Sequence, residues 1–458
     1  MIEQKLVKTS ILEAILLTIF IIGLISFSII ELESVPHIPI ILSIIVLMTY
    51  GMIKKATFKQ LEESMIKSAK TGIGAIYIFL LIGLLISSWI IGGTIPTLLY
   101  IGFSFVAASF FYASVFIITG IIGTAIGSSL TTVGTVGVAM LGVATAMDAS
   151  LVITAGAIVS GAFFGDKMSP LSDTTNLAAT VTGIDLFTHI RNMMYTTIPA
   201  FILSVIAYAI LSPKGTSIDE QLITQYKSVL ISTNLVHWYA LIPLLILVVC
   251  TIFKIPSLIT LTISTISGIV LSYMHSAIPL EKLFSILYGG YVANTGVEAI
   301  DSLLTRGGMN SMLFTIILIV LSLSMGGLLF SLGIIQALLA SIQTLLTSIG
   351  KAITGAAFTA VAINFLIGEQ YLSILLTGET YKEKFKSLNM HPKNLARVIE
   401  DAGTVINPLV PWGVCGIFIS TALNVSVISY IPFAFFCLLS PVITILFGWL
   451  NITITKQN

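Results

Sequence analysis

Charge is what this sequence has least of. Only 9% of its 458 residues are Asp, Glu, Lys or Arg, against about 25% in soluble domains. With 56% hydrophobic residues and a mean hydropathy of +1.07, that shortage excludes a water-soluble globule and predicts an all-α polytopic membrane protein. The formal net charge is +1 and no basic tract occurs, so nucleic acid is not expected as a partner. Cysteine is scarce too. Cys250, Cys415 and Cys437 lie in apolar stretches without metal-ligand spacing, which argues against a disulfide framework or a thiolate metal site. No cleavable leader is expected either. The first apolar run, Ile11–Ile30, is too long for a signal core and lacks a small-residue cleavage pattern; it is expected to remain as the first span.

The few charges present are placed where they cost most. The run Gly161-Ala162-Phe163-Phe164-Gly165-Asp166-Lys167-Met168-Ser169-Pro170-Leu171-Ser172-Asp173-Thr174-Thr175-Asn176 follows an apolar helix and carries three ionisable groups at membrane depth. Each costs roughly 2.5–3.5 kcal/mol if it faces lipid, and Pro170 removes a backbone donor among them. A segment both charged and broken must face protein or water. An Asp–Lys staple between helices would satisfy that condition. So would an interrupted helix whose freed carbonyls and carboxylates coordinate a cation, and this is the preferred reading.

In chain order, spans are expected at Ile11–Ile30, 38–53 and Ile73–Ile91. An amphipathic helix over 58–70 should lie on the inner surface. The segment 94–112 is read as either a crossing or a helix lying along the membrane. The stretch 114–147 is long enough to cross and return, but its centre, Gly127 to Gly137, is dense in Gly, Ser and Thr. A re-entrant hairpin with a polar tip is expected there. A broken helix over 150–180 and a span over 187–211 close a first half, 1–213. An external linker, 214–235, leads to a second half, 236–458.

Landmarks then recur. Gly93, Gly165 and Pro170 match Gly333, Gly403 and Pro408 at spacings of 240, 238 and 238. At 238, Thr131 falls on Glu369, inside a second hairpin over 351–380, and Ser169-Pro170-Leu171 on Asn407-Pro408-Leu409, inside a second broken helix over 394–425. Internal duplication follows. With 94–112 not crossing, the halves are inverted repeats, and both termini and the basic loop Lys382–Arg397 are cytoplasmic.

These blocks resemble the NhaC-type sodium/proton antiporters. Gly165 to Thr175 is similar to that family's signature. Glu400-Asp401-Ala402-Gly403-Thr404-Val405, with Pro408, Pro411-Trp412 and Cys415-Gly416, is similar to its second block, and Gly368-Glu369-Gln370-Tyr371-Leu372-Ser373 to its second hairpin. The resemblance implies a sodium-linked antiporter of the bacterial cytoplasmic membrane, not an enzyme and without a cofactor, working as a homodimer in the lipid bilayer by an elevator motion. It leaves two cargoes open, sodium against protons or small carboxylates such as malate and lactate. Glu369 stands where aspartate is equally expected and Ala402 where serine is common; the longer acid bears on cation choice, and the alanine removes a hydroxyl ligand.

The residue chemistry suggests roles. Exchange of sodium for protons needs a carboxylate that either a cation or a proton can neutralise. Asp166 ranks first, then Asp173, Glu369 and Asp401, and Lys167 is expected to pair with Asp166 when the site is empty. A sodium ion is placed at Asp166, Asp173 and Glu369. Hydroxyl, amide and backbone ligands are sought among Thr131, Thr132, Thr135, Ser169, Ser172, Thr174, Thr175, Asn176, Thr404 and Asn407. Glu400 and Asp401, near the start of a span, can equally be solvated. An intramembrane aspartyl protease is excluded by the absence of its Gly-x-Gly-Asp and Tyr-Asp blocks.

Overall fold

A chain this apolar must satisfy its backbone within each segment, which means coiling. The computed structural model describes residues 6–32, 34–105, 110–170, 172–213, 220–253, 255–275, 278–297, 300–301, 304–343 and 346–457. Among them it contains helices and no strand beyond one isolated bridge, Met390 to Lys456. Five helices are long and apolar enough to cross a membrane unaided: Ile11–Ile29, Leu151–Met168, Leu186–Leu211, Met309–Ser331 and Ile349–Ile367. Three bent pairs can cross jointly, which makes up to eight. Large side chains such as Phe253, Val292 and Ile53, each 74% exposed, cover the outside.

In the ambiguous segment 94–112, the described helix is Thr94–Phe105. Its 12 residues extend about 18 Å, short of a hydrocarbon core of about 30 Å. The helix turns 71° away from Ile76–Ile91, and Thr94 Oγ1 pins its start by donating to Ala240 O at 2.6 Å. The second part of the expected linker is helical. It contains the helix Glu220–Ser232, which packs on Thr94–Phe105. The amphipathic helix, Phe58–Thr71, is started by a capping box between Thr57 and Gln60 and packs along Leu313–Ser331.

Elements recur along the chain. Ile73–Ile91 and Leu313–Ser331 each have 19 residues, and each is followed by a left-handed glycine, Gly93 (φ 84°) and Gly333 (φ 73°). Phe111–Ile126 and Ile349–Ile367 end at left-handed Gly127 and Gly368. Asp173–Thr182 and Val414–Leu423 each have 10 residues and end at left-handed Gly183 and Asn424. From the hairpins onward the spacing is therefore 241 (Gly368 against Gly127, Asn424 against Gly183). The sequence reading of 238 slips by three. At a spacing of 241, Pro170 falls on Pro411 rather than Pro408, Glu369 is reached from Ser128 rather than Thr131, and Asp166 falls on Asn407. Two prolines three residues apart in the second segment, Pro408 and Pro411, let the sequence alone fit either register.

The halves also exchange packing partners. Ile73–Ile91 lies against Ser257–His275 of the second half, where Trp89 Nε1 donates to Ser264 Oγ at 3.1 Å. Leu313–Ser331 lies against His37–Ile53 and Phe58–Thr71 of the first half.

Candidate functional site

The first broken helix begins at Leu151, where the Ser150 side chain accepts the Ile153 N–H. Gly161 and Gly165 let it approach Phe111–Ile126 closely; a Cβ on Gly165 would meet Thr124 N at 2.5 Å. The helix stops at Met168 because Ser169 is extended and Pro170 offers no N–H. Ser172 then caps Asp173–Thr182 by accepting the Thr175 N–H. Carbonyls freed at the break are already met by protein donors. Thr175 Oγ1 donates to Lys167 O at 3.1 Å, and Asn176 Nδ2 to Pro170 O at 3.1 Å and Ser172 O at 2.7 Å.

Asp166 sits in the last turn before the break, 5% exposed. One of its carboxylate oxygens accepts from Ser129 twice, from Oγ at 2.7 Å and from the backbone N–H at 3.2 Å. Ser129 is at the tip of the first hairpin, so tip and broken helix meet through this carboxylate. The expected partner, Lys167, faces elsewhere. Its ammonium is paired with Asp401 of the second half, both side chains wholly buried, and lies 5.5 Å from the centre of the Phe436 ring. The other Asp401 oxygen accepts from Thr196 at 2.8 Å and Thr444 at 2.5 Å. Asp401 is therefore saturated, and neither it nor Glu400 is solvated. Glu400 Oε1 accepts from Thr174 at 3.1 Å and Thr404 at 2.9 Å, and its other oxygen lies 3.9 Å from His189 Nε2.

Both hairpins turn in the same way. A left-handed glycine is followed by an extended capping residue whose side chain accepts the N–H three residues on: Gly127 then Ser128 accepting from Thr131, Gly368 then Glu369 accepting from Leu372 at 2.8 Å. The two tips share a cavity of 390 Å³ with Asp173, Thr131, Tyr371 and Cys415. A neighbouring cavity of 460 Å³ shares Ser128, Thr131 and Asp173 and adds Pro170 and Asn176. Asp173 opens onto these cavities, which accounts for its exposure.

The second broken helix runs Pro392–Leu409, loosened by a π-helical turn at Glu400–Thr404, and resumes at Val414–Leu423 after a 45° bend. Two amides hold its break. Asn364, in the second hairpin, donates to Gly403 O at 2.7 Å and to Ser373 Oγ at 3.2 Å. Its oxygen accepts from Asn407 Nδ2 at 2.8 Å, and Asn407 in turn accepts the Cys415 N–H at 3.0 Å.

Several expected ligands lie apart from the cavities. Thr132 and Thr135 donate back along their own helix, to Ser128 O at 2.8 Å and Thr131 O at 2.7 Å. Ser169 is buried within the break. Among the described residues no three His, Cys, Asp or Glu side chains converge on one point, so Asp166, Asp173 and Glu369 do not form a single three-acid cage. The sequence reading assigned no site role to Ser129 or His189, and it named Glu400, Tyr371 and Cys415 without placing them against Asp166, Asp173 or Glu369. Only the Gly127-Ser128-Ser129 run, a turn followed by a cap, gave a local signal.

Comparison with known proteins fits this arrangement. Residues 161–452, which hold the break of the first broken helix, the second hairpin and the second broken helix, match the model of the Na+/H+ antiporter family. The chain is 40% identical to the Na(+)/H(+) antiporter NhaC of Alkalihalophilus pseudofirmus, covering 93% of each protein. It is 39% identical to the Na(+)/H(+) antiporter NhaC of Bacillus subtilis, over 96% of this chain and 97% of the relative. Identity is 32% to the Malate-2H(+)/Na(+)-lactate antiporter of Bacillus subtilis, over 97% and 96%. Matches of this length and extent place the chain in the Na+/H+ antiporter family.

Proposed function

We propose that the protein exchanges sodium for protons by alternating access, with Asp166 as the carboxylate the two cations share. One observation carries the reading. Asp166 is buried and receives only neutral donors, while the adjacent lysine is committed to Asp401. Among the described residues no basic side chain pairs with Asp166, so its charge at membrane depth calls for a bound proton or cation. Such competition for one carboxylate is an antiport in miniature. Asp173 and Glu369, on the shared cavity wall, would receive the ion on its way. Thr131, on the same wall, would supply a neutral oxygen beside them, with Ser172, Thr174, Thr404 and Asn407 in reserve at the two breaks.

The moving body would be the two hairpins with the two broken helices, in inverted halves 1–213 and 236–458, shifting as an elevator against the remaining helices in a homodimer. The membrane would be the bacterial cytoplasmic one, with both termini inside. The relative named for malate and lactate favours a second cargo, small carboxylates exchanged with the same cations. Proteoliposomes loaded with a pH dye test both readings. Stepping external sodium should move protons in the wild type, and Asp166→Asn should abolish that movement while the protein still inserts. Undiminished exchange in Asp166→Asn would remove the carboxylate from its role. A sodium response that appears only with malate or lactate present would favour the second cargo.

A further inference from the structure

The segment leading into Leu313–Ser331 does not stay at the end of the bundle. The Gly308 N–H donates to Gly83 O at 3.0 Å, and Gly83 lies eight residues, about 12 Å, before the end of Ile73–Ile91. A Cβ on Gly307 would meet Ser87 Oγ at 2.6 Å. Non-helical backbone at such depth is tolerated only inside protein or on the wall of a cavity. Here it walls a cavity of 340 Å³, bounded by Tyr291, Arg306 and Ser311, by Val138 of the first hairpin, and by Thr421 and Asn424 at the end of the second broken helix.

Arg306 is half-buried on that wall. Its Nη1 donates to Ala422 O at 3.2 Å, one of the last carbonyls of Val414–Leu423. That is a helix-capping contact, and it uses one of five N–H groups. Among the described residues no carboxylate pairs with Arg306, and none of those lining the cavity is acidic. A guanidinium on the wall of a cavity in a membrane protein, with no counter-charge among the described residues, is a candidate functional site. Its planar fork fits a carboxylate better than a spherical ion, and the volume suits a small ligand. The cavity shares no lining residue with the two that Asp173 faces.

We propose that this cavity binds a small organic carboxylate, whose two oxygens take the free N–H face of Arg306. The proposal does not depend on what crosses at Asp166. Purified full-length protein in chloride-free detergent buffer would be titrated with choline malate, choline lactate and choline chloride while tryptophan fluorescence follows thermal unfolding. At least one carboxylate should raise the midpoint saturably, and chloride should not. Arg306→Gln should weaken that response about tenfold or more, the weight of a charge-assisted pair. Arg306→Lys, which keeps the charge but loses the fork, should fall between. No carboxylate response in the wild type, an equal response to chloride, or wild-type affinity in either variant would overturn the assignment. Should Arg306→Gln not fold, Arg306→Lys still decides. Sodium-driven proton movement is read separately, so failure there leaves this test intact.

Discussion

Lys167 and Asp401 are 234 residues apart in sequence, come from opposite halves of the chain, and are both shut away from solvent. Breaking such a pair from one side strands the other charge and costs about 3–5 kcal/mol, whereas replacing both can be neutral. Lys167→Met and Asp401→Leu should each lower the unfolding midpoint sharply, and the double variant should recover only in part. Recovery is incomplete because the Thr196 and Thr444 hydroxyls would lose their acceptor. A double-mutant cycle on purified protein measures the coupling. At this scale the sequence disclosed which residues are charged and deep but not whom they meet. Asp166 beside Lys167 invites pairing of neighbours, yet a helix turns successive side chains about 100° apart, so adjacent residues served different partners. The contact from Ser129 to Asp166 joins two elements and leaves no local pattern to read.

Breaks and turns were the most legible elements, because glycine, proline and clustered hydroxyls act through local backbone physics. Their register was not, since the offset between halves depends on small insertions that only three-dimensional correspondence resolves. The left-handed glycines permit a graded test. Gly183→Ala has open space around its added methyl and should cost only the left-handed penalty, about 1–2 kcal/mol. Gly368→Ala bears the same penalty and also meets Trp412 O at 3.1 Å, so it should cost more and disturb the second hairpin. Unfolding midpoints of the two variants rank the effects. The second broken helix also has a titratable start. His391 caps it by accepting the Lys393 N–H at Nδ1, 3.2 Å, a role that needs neutral imidazole. Burial, and then the charge of Lys393, hold its pKa below the ordinary 6.5. The folded state therefore takes up this proton less readily than the unfolded chain. The cap's contribution is full above 6.5 and declines as pH falls through that value. His391→Asn, which caps without titrating, should flatten this part of the stability profile measured between pH 8 and 5.

On the scale of the whole molecule, the proposed arrangement of inverted halves, with 94–112 not crossing, makes a topological prediction. Cysteines replacing Lys59 and Lys384 should react with an impermeant maleimide only in inside-out vesicles, and one replacing Ser228 in the linker helix only in right-side-out vesicles. Labelling of Lys59→Cys and Lys384→Cys from opposite sides would break the inverted arrangement. The exchange of partners between halves has a consequence for how the chain is made. When a ribosome has released the first 213 residues, Ile73–Ile91 is already in place, but Ser257–His275, which seats it, has not been synthesised. The newborn half must wait with an unfilled berth until its sibling emerges.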